Sequence, residues 1–397
     1  MSKKINLLFI TQYFYPDLTA AAFRSFSIYK VLSEKGINVT VITTFPHRSD
    51  VKINSKLKNV RRIKIKRGNS ESIFYYLEFF LKALPLIIRE AIKSNIIFAT
   101  SPPITVAVEA LLVSKILRKK FILDIRDLWP DTIVDVGKLK RHGLMYFLLK
   151  FIEKFIYTRA DYISCVSKEM SNYILKYNKN ITVVYNGVFY EDYIKFCKAD
   201  QTLPKGNDNK VSLNIYYAGN VGLAQKFDFL LQVANKLNPS REFIFHIIGR
   251  GVQLEKYKDF VRKHSLNNVF FHKQMEREIL LKYLLKEADA LLLTVNDGWS
   301  FTKTIPSKLF DYLLLRKPIL YHLSGEGDSI LKMTKSAIKF KLTPEDFLAA
   351  IYKLKANFTE LRINSLTKNC RILKKFIREK ENQKLLDIIK DLFKEKP

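Results

Sequence analysis

The chain has 397 residues, which is too many for one hydrophobic core and enough for two domains of ordinary size. Hydrophobic residues make up 48% of it and aromatic residues 13%, which excludes a chain that stays disordered. Lys and Arg outnumber Asp and Glu by 68 to 38, so the formal net charge is +30 and an anionic partner is indicated.

Three interpretations of this charge are open. A nucleic-acid partner is one, but the basic residues are scattered and the sequence contains no helix-turn-helix, zinc-finger or ribonucleoprotein motif. An anionic membrane surface together with an anionic substrate is the second. Compositional drift is the third, because Lys, Ile, Asn, Phe and Tyr are all abundant, as A/T-rich codons produce. We favour the second and third together.

Cysteine spacing and hydropathy restrict the compartment. Cys165, Cys197 and Cys370 are widely spaced and form no Cys-x-x-Cys pair, so we expect no disulfide, no zinc site and a reducing compartment. The apolar run 5–11 is too short for the hydrophobic part of a signal peptide. No run reaches the ~18–20 apolar residues that a membrane-spanning helix needs.

Short apolar runs without clean alternation recur along the first half of the chain, as is typical of strands buried on both faces of a parallel sheet. Helical patterns separate them, for example 21–35, which ends at Gly36, and 105–117, which ends at basic residues. Such repeated strand–helix units predict a doubly wound α/β sheet. The predicted strands are 6–11, 38–44, 62–67, 96–100, 121–126, 162–167 and 181–186.

A polar segment at 198–211 predicts a linker, after which the alternation resumes. We therefore expect two Rossmann-like domains, 1–197 and 212–365, that face a central cleft holding the active site. The tail 366–397 is strongly charged and helical, and is expected to pack back on the first domain. The predicted strands of the second half are 213–218, 243–248, 269–272, 290–295, 319–323 and 337–341.

A helix that begins after Pro306 and Ser307 is the most informative segment, because both residue types start helices well. The free N–H groups and the dipole at a helix N-terminus suit a phosphate. Lys308 could neutralise a diphosphate, and Asp311, about one turn in, could accept hydrogen bonds from a ribose. The segment predicts a nucleotide-diphosphate site, and the alternative is an ordinary helix–strand unit with a solvated Asp.

Two glycine turns follow predicted strands of the second half. One contains Gly219, Asn220 and Gly222, and the other contains Gly249 and Arg250. Glycine lets the backbone approach a phosphate without a Cβ in the way, so both turns are predicted to contact the nucleotide. The alternatives are a plain tight turn and a solvent-exposed Arg250.

A second predicted site follows strand 121–126, where Asp127 lies at the carboxyl end of the strand between Arg126 and Trp129. The family resemblance given below implies the catalytic role for Asp127 and binding of the acceptor substrate for Arg126 and Trp129. Asp127 has an alternative role as a cap of the following turn. Arg24 is predicted either to bind an acceptor phosphate or to be a surface charge. Because the sequence contains no Asp-x-Asp, no metal site is implied.

Segments 73–92 and 138–159 are rich in aromatic, apolar and basic residues. Each is similar to an interfacial helix with cations on one side and aromatics on the other. The alternative for each is a helix that packs its apolar stripe on the sheet. Together with the net charge, they favour peripheral binding to an anionic membrane.

Several of these motifs, in this order, resemble those of the retaining nucleotide-sugar glycosyltransferases of family 4. The resemblance is nearest to bacterial O-antigen and capsule enzymes, a group that includes N-acetyl-L-fucosamine transferases. The matching segments are Thr11 to Pro16 (TQYFYP), Arg126 to Pro130 (RDLWP), Tyr185 to Val188 (YNGV), Tyr217 to Gly222 (YAGNVG), Ile248 to Gly251 (IGRG) and Pro306 to Tyr312 (PSKLFDY).

The resemblance implies the GT-B fold, which is two Rossmann-like doubly wound domains facing a central cleft. It implies retaining transfer of a sugar from a nucleoside-diphosphate donor, expected to be a UDP-sugar, to a polyprenyl-diphosphate-linked sugar at the cytoplasmic face of the cell membrane. No cofactor, metal or nucleic acid is expected. The open alternatives are a GT-B-type UDP-sugar epimerase and, less favoured, a basic nucleic-acid-binding protein.

The chain departs from the family at two places. Many relatives have two Glu separated by seven residues, but here the second acid is Asp311 and Lys303 lies eight positions before it. The backbone of 301–305 is therefore expected to hold the donor sugar. Many relatives also carry Arg and Lys after the first glycine turn, where this chain has Asn220 and Gln225. The remaining candidate cations are Lys226, Arg250 and Lys308.

Overall fold

A computed structural model describes residues 4–46, 57, 59–66, 73–198 and 212–394, without the side chain of Ile73. The chain divides into two compact units. Residues 1–186 and 378–397 belong to the first unit, and residues 187–377 belong to the second. Each unit is a parallel sheet covered by helices, which confirms the predicted doubly wound α/β class.

The first unit contains a seven-stranded parallel sheet in the order β3-β2-β1-β4-β5-β6-β7. The strands are buried on both faces, as every residue of IIFATS in the fourth strand shows. Their carboxyl ends share one edge of the sheet, because all of them are parallel. The strands are β1 (Asn6–Ile10), β2 (Asn38–Thr44), β3 (Val60–Ile63), β4 (Ile96–Ser101), β5 (Lys120–Ile125), β6 (Tyr162–Cys165) and β7 (Ile181–Val183).

Helices connect these strands and cover both faces of the sheet. The first helix begins where Thr19 accepts a hydrogen bond from the Ala22 N–H at 3.1 Å, and the chain turns away at Gly36, which has a φ of 86°. The helices are α1 (Ala20–Glu34), α2 (Ile73–Ile92), α3 (Ile104–Ile116), α4 (Asp131–Asp135), α5 (Leu144–Arg159) and α6 (Lys168–Ile174).

The second unit opens with helix α7 (Tyr190–Tyr193) and a turn of π-helix (Ile194–Lys198). Its six-stranded parallel sheet has the order β10-β9-β8-β11-β12-β13, so β8 and β11 lie at its centre and the chain changes winding direction between them. The strands are β8 (Leu213–Ala218), β9 (Phe243–Ile248), β10 (Val269–His272), β11 (Ala290–Thr294), β12 (Ile319–His322) and β13 (Ala337–Lys339).

The helices of the second unit alternate with these strands, and one further helix returns to the first unit. They are α8 (Asp228–Leu237), α9 (Leu254–Lys263), α10 (Arg277–Glu287), α11 (Trp299–Thr302), α12 (Lys308–Leu314), α13 (Gly325–Thr334), α14 (Pro344–Ala356), α15 (Phe358–Leu373) and α16 (Arg378–Lys394).

All thirteen predicted strands are confirmed, four of them with the predicted bounds and the others with end points that shift by up to four residues. The helical tail is divided between α15 and α16, with buried Phe376 and Ile377 between the two helices. Helix α16 belongs to the first unit, where its Leu385, Leu386 and Ile389 pack into the same apolar cluster as Ile28 of α1. The predicted linker 198–211 lies outside the described residues except for Lys198.

The prediction that the cysteines form no disulfide is wrong. Cys197, in the π-helical turn, forms a disulfide with Cys370 of α15, although 173 residues separate the two in sequence. Only Cys165 is free among the described residues, and it is buried. Widely spaced cysteines gave no sign of pairing because the contact is made by the fold and not by local spacing.

Candidate active site

Arg126 is the main cation at the carboxyl edge of the first unit's sheet. It follows β5 directly, and its side chain is 9% exposed. One guanidinium nitrogen, Nη2, donates to the carbonyl oxygen of Pro102. The buried Nε and Nη1 meet no hydrogen-bond partner among the described residues. A buried N–H without a partner costs free energy, and an anionic group would satisfy both of these donors.

Asp127 lies beside Arg126 and makes no side-chain hydrogen bond to the turn that follows, within the described part of the chain. That turn is closed by the backbone, since the Thr132 N–H donates to the Leu128 carbonyl at 2.9 Å. Burial raises the pKa of Asp127 to about 6, although the Arg126 charge opposes the shift. The carboxylate is therefore ionised at neutral pH and is a better proton acceptor than an exposed Asp.

The loop that carries these residues is fixed to helix α5. Asp131 is 2% exposed and accepts hydrogen bonds from the Tyr146 hydroxyl at 3.0 Å and from Lys150 Nζ at 2.8 Å. The Trp129 ring packs edge-on against Tyr76 of α2, with 5.6 Å between ring centres. Arg126, Asp127 and Trp129 are thus held as one loop.

The structure gives Arg24 a role that differs from both predicted ones. Its side chain is 3% exposed, so it is not a surface charge. Nε and Nη2 donate to Asp124 at 2.8 and 2.7 Å, and Nη1 donates to the Val184 carbonyl at 2.8 Å and to Asn186 at 3.2 Å. All three nitrogens are used inside the first unit. We therefore assign Arg24 a structural role, in which it joins α1 to β5 and to the residues after β7, in place of the predicted acceptor binding.

Two further polar residues at this edge were missed by the sequence analysis. The side-chain amide of Gln12, after β1, is buried beside the Tyr75 hydroxyl, and the hydroxyl of Thr105, in the first turn of α3, is buried without a hydrogen-bond partner among the described residues. Gln12 lies inside a motif that we quoted, but nothing in the sequence marks its amide as buried. Together with Arg126 they make this edge suited to a polar, anionic ligand.

Two glycine turns pack backbone on backbone at the carboxyl edge of the second unit's sheet. Gly219 follows β8 and Gly249 follows β9, with φ angles of 139° and 147°. The Gly219 N–H donates to the Ile248 carbonyl at 2.9 Å, and a Cβ at Gly249 would collide with the Gly219 carbonyl oxygen. The backbone angles favour glycine at both positions and the space requires it at Gly249, while the contact of the two turns with the nucleotide stays a prediction.

Lys308 places an ammonium beside the first of these turns. Its Nζ donates to the Tyr217 hydroxyl at 2.6 Å and lies 4.0 Å from the centre of that ring. The Tyr217 hydroxyl in turn donates to the Asn220 carbonyl at 2.6 Å. A Cβ on Gly219 would lie 2.7 Å from Nζ. Burial lowers the pKa of Lys308 to about 7, so a bound anion would restore its charge.

Asp311 lies one turn further along α12 and is paired with Arg277, the first residue of α10. Asp311 is therefore ion-paired and 27% exposed, whereas the alternative prediction had a solvated Asp in an ordinary helix–strand unit. Arg277 was missed because it lies 34 residues from Asp311 in sequence. The helix is fixed to the sheet by Tyr312, whose hydroxyl accepts a hydrogen bond from the Ala218 N–H at 2.9 Å.

The remaining predicted donor residues lie in the two glycine turns and at the start of α12. The Val221 N–H, between Asn220 and Gly222, donates to the Arg250 carbonyl at 2.9 Å, which brings the two turns together. The side chains of Asn220 and Arg250 are exposed. Ser307 makes no side-chain capping bond to α12. The structure therefore brings the two glycine turns and Lys308 together, with Ser307 and Asp311 on the adjoining helix.

An acid that the sequence analysis did not select follows β11 at the same edge. Asp297 Oδ1 lies 2.6 Å from Nε2 of His322, and His322 Nδ1 lies 2.9 Å from the Phe340 carbonyl. Asp297 is thereby oriented by a nearly buried ring, although its own side chain is 68% exposed. An oriented carboxylate therefore lies before the short helix α11, and Lys303 lies directly after that helix.

Comparison with known proteins identifies both units. Residues 25–191 match the family model described as Glycosyltransferase Family 4, and residues 200–369 match the model described as Glycosyl transferases group 1. The chain is a glycosyltransferase of the GT-B fold. A probable glycosyltransferase, WbjE of Pseudomonas aeruginosa, is 24% identical over 306 residues, which is 75% of this chain and 74% of WbjE.

Solved structures agree with this fold. Sucrose-phosphate synthase from Thermosynechococcus elongatus superposes with a TM-score of 0.74 at 12% identity, covering 99% of this chain and 100% of the other. Anabaena Alr3699/HepE in complex with UDP-glucose superposes with a TM-score of 0.68 at 12% identity, covering 98% and 100%. The described residues contain no helix long and apolar enough to cross a membrane. They also contain no group of three or more His, Cys, Asp or Glu side chains that could hold a metal ion.

The pKa of Lys308 predicts how donor binding by this glycosyltransferase depends on pH. Without ligand, Lys308 loses its proton near pH 7, whereas a bound diphosphate would hold the proton to higher pH. Binding above pH 7 must therefore take up a proton, and affinity should fall by up to about tenfold per pH unit. We expect calorimetry with UDP-glucose to show weakening from pH 7 to 9 and proton uptake in buffers of different ionisation enthalpy. A flat profile, equal to that of Lys308→Met, would contradict this.

Proposed function

We propose that this glycosyltransferase moves a sugar from a UDP-sugar to a sugar on a polyprenyl diphosphate in bacterial surface-polysaccharide synthesis, with retention and without a metal ion. The observation that carries the donor part is the Lys308 ammonium beside the Gly219 turn, at the carboxyl edge where β8 and β11 meet. Ligands of open parallel sheets bind at such an edge. Structural similarity to a protein solved with UDP-glucose supports a nucleotide sugar.

The transfer breaks the bond between the sugar C1 and a diphosphate oxygen and forms a bond from C1 to an acceptor hydroxyl. The leaving diphosphate gains negative charge, and a fixed cation with aligned backbone dipoles stabilises it. In our proposal, Lys308 and the two glycine turns supply this stabilisation. The acceptor proton passes to the departing diphosphate, while Asp127 orients the acceptor hydroxyl. Retention and the lipid-linked acceptor rest on the resemblance to O-antigen and capsule enzymes.

The acceptor part rests on Arg126. Its Nε and Nη1 lack partners among the described residues and are buried at the edge that also holds Asp127. A planar guanidinium with two unused donors matches the oxygens of a phosphate. We assign these donors to the diphosphate of the lipid-linked acceptor, with Trp129 beside them for a sugar or isoprene face.

The membrane part rests on three adjoining helices of the first unit, α2, α3 and α5. Helix α3 packs against both of the others. Phe79, Ala83 and Ile87 of α2 face the core, so part of segment 73–92 packs on the sheet as the alternative prediction has it. Five large apolar side chains on these three helices are 68–87% exposed, namely Phe74, Leu81, Ile116, Leu144 and Phe151. We call this set the apolar face.

Exposed basic residues adjoin the apolar face, including Lys138, Lys140 and Arg141 just before α5. An apolar face bordered by cations is complementary to an anionic bilayer, where each cation near the surface contributes about 1 kcal/mol. We therefore place the enzyme as a peripheral protein at the cytoplasmic face of the cell membrane, where a lipid-linked acceptor would be within its reach.

Liposome flotation tests this placement. We expect binding to phosphatidylglycerol vesicles, weaker binding to neutral vesicles and release by high salt, since salt screens the charges. Reversing Lys138, Lys140 and Arg141 to Glu, or changing Phe151 to Ser, should weaken binding. Ile363→Ser is the control, because Ile363 is 50% exposed but lies on α15 of the second unit. Equal flotation of Phe151→Ser and the control would remove the apolar face from the membrane contact.

The proposed reaction is tested by incubating the enzyme with nucleotide sugars and bacterial membrane lipid extract in excess EDTA, followed by mass spectrometry. We expect a polyprenyl-diphosphate lipid whose mass rises by one sugar, together with free nucleoside diphosphate. Donor turnover without any lipid would instead favour an epimerase. Activity lost in EDTA and restored by Mg²⁺ or Mn²⁺ would contradict the metal-free proposal.

A further inference from the structure

We propose that Arg277 is a positioning residue of the donor site, which turns one oxygen of Asp311 towards the ribose and is itself fixed by Asp192. This inference rests on the proposed donor site, because it concerns how Asp311 meets the nucleotide. It extends that site to residues that contact no substrate.

The hydrogen bonds of Arg277 are divided unequally between the two carboxylate oxygens of Asp311. Nε and Nη2 both donate to Oδ1, at 3.2 and 2.6 Å. Oδ2 receives no hydrogen bond from the described residues, and the Asp311 side chain is 27% exposed. One oxygen is therefore saturated and the other keeps its lone pairs. A carboxylate held in this way presents a single fixed acceptor, which is what a ribose hydroxyl requires.

The negative charge of Asp311 explains why this carboxylate needs a cation beside it. An unpaired Asp311 on the same short helix as Lys308 would place a negative charge near the site where we put a diphosphate, and the two anions would repel each other. Arg277 is 17% exposed and lies between two acids, so it neutralises Asp311 without occupying Oδ2. A guanidinium can bond two carboxylates at once because its donors form a rigid planar fork, which an ammonium lacks.

Asp192 holds the other side of this fork. Arg277 Nη1 donates to Asp192 Oδ2 at 2.6 Å. Asp192 lies in α7, and the segment 190–198 that contains this helix makes further contacts within the second unit. Lys195 pairs with Glu278 at 2.8 Å, and Cys197 is joined to Cys370. Asp192 is therefore a fixed partner, which limits the rotation of the Arg277 side chain.

The measured quantity is the ratio of two affinities, for a nucleotide with ribose hydroxyls and for one without them. A general loss of stability would not change this ratio. We would measure by calorimetry the affinity for UDP and for 2′,3′-dideoxy-UDP, which lacks both ribose hydroxyls. The native enzyme should bind UDP roughly tenfold more tightly, as one charge-assisted hydrogen bond provides. In Arg277→Met this ratio should fall close to one. Arg277→Lys should recover part of it, and Asp192→Asn should lower it less than Arg277→Met does.

The matched control is Glu287→Gln, which breaks a partly exposed pair with Lys286 at the other end of α10 and should leave the ratio unchanged. If Arg277→Met does not fold, Arg277→Lys and Asp192→Asn carry the test. A native ratio in every folded Arg277 and Asp192 variant would overturn the positioning role. A native enzyme that binds neither UDP nor any other nucleoside diphosphate would instead overturn the donor proposal.

Discussion

Replacing Asp124 by Ala is expected to lower the free energy of unfolding of the first unit by about 3–5 kcal/mol. Asp124 lies in β5 with an exposure of 0%, and it accepts hydrogen bonds from Arg24 and from the Ser164 hydroxyl at 2.6 Å. Without the carboxylate, Arg24 would keep its charge in a buried place with no acid to balance it. The same reasoning applies to Arg24→Ala, which would leave the carboxylate unpaired.

The two tryptophans allow this unfolding to be followed in one unit. Trp129 lies in the first unit and Trp299 in the second, so in a Trp299→Phe background the fluorescence reports on the first unit alone. Urea denaturation should show a large decrease in the midpoint for Asp124→Ala and a smaller one for Asp124→Asn. The control is Lys82→Ala, which removes a partly exposed pair with Glu78. Equal midpoints for Asp124→Ala and the control would show that the buried pair is not needed for stability.

Lys308→Met is expected to lower kcat/KM roughly 10²–10³-fold, as the loss of one fixed electrostatic contact to a leaving group does. The reason is that Nζ lies beside the Gly219 turn and is held there by its hydrogen bond to the Tyr217 hydroxyl. Met keeps most of the volume of the side chain and removes only the charge. The fold should therefore survive, which thermal unfolding can check.

The comparison for this variant is Lys332→Met on α13. Lys332 is 64% exposed and pairs with Asp328, so its removal should leave kcat/KM unchanged. Steady-state kinetics with a UDP-sugar and a lipid acceptor measures both variants. If Lys308→Met retained the activity of Lys332→Met, the diphosphate would have to be neutralised elsewhere, and Arg250 and Lys226 would be the next candidates.

The sheets could be predicted from sequence because their signals are local. A buried parallel strand is a short apolar run, and β4 and β11 are buried at every residue. The glycine turns after β8 and β9 were also visible, since each follows such a run and the backbone angles there require glycine. The start of α12 was visible for the same reason, because Pro306 and Ser307 lie directly before Lys308.

The partners of the charged residues could not be predicted in this way. Arg24 meets Asp124 across 100 positions of sequence, and the Cys197–Cys370 disulfide spans 173. Such contacts arise when elements that are distant in sequence pack together in the fold, and no spacing rule encodes them. An isolated Arg in a helix therefore gave the same signal whether it was a surface charge, a ligand contact or a buried structural cation.

A crystal structure of the enzyme with UDP-glucose is the most direct test of the donor site. We expect the diphosphate on Lys308 Nζ and on the backbone of the Gly219 and Gly249 turns, with the ribose on Oδ2 of Asp311. A nucleotide bound at another part of the chain, or a diphosphate remote from Lys308, would contradict the donor assignment.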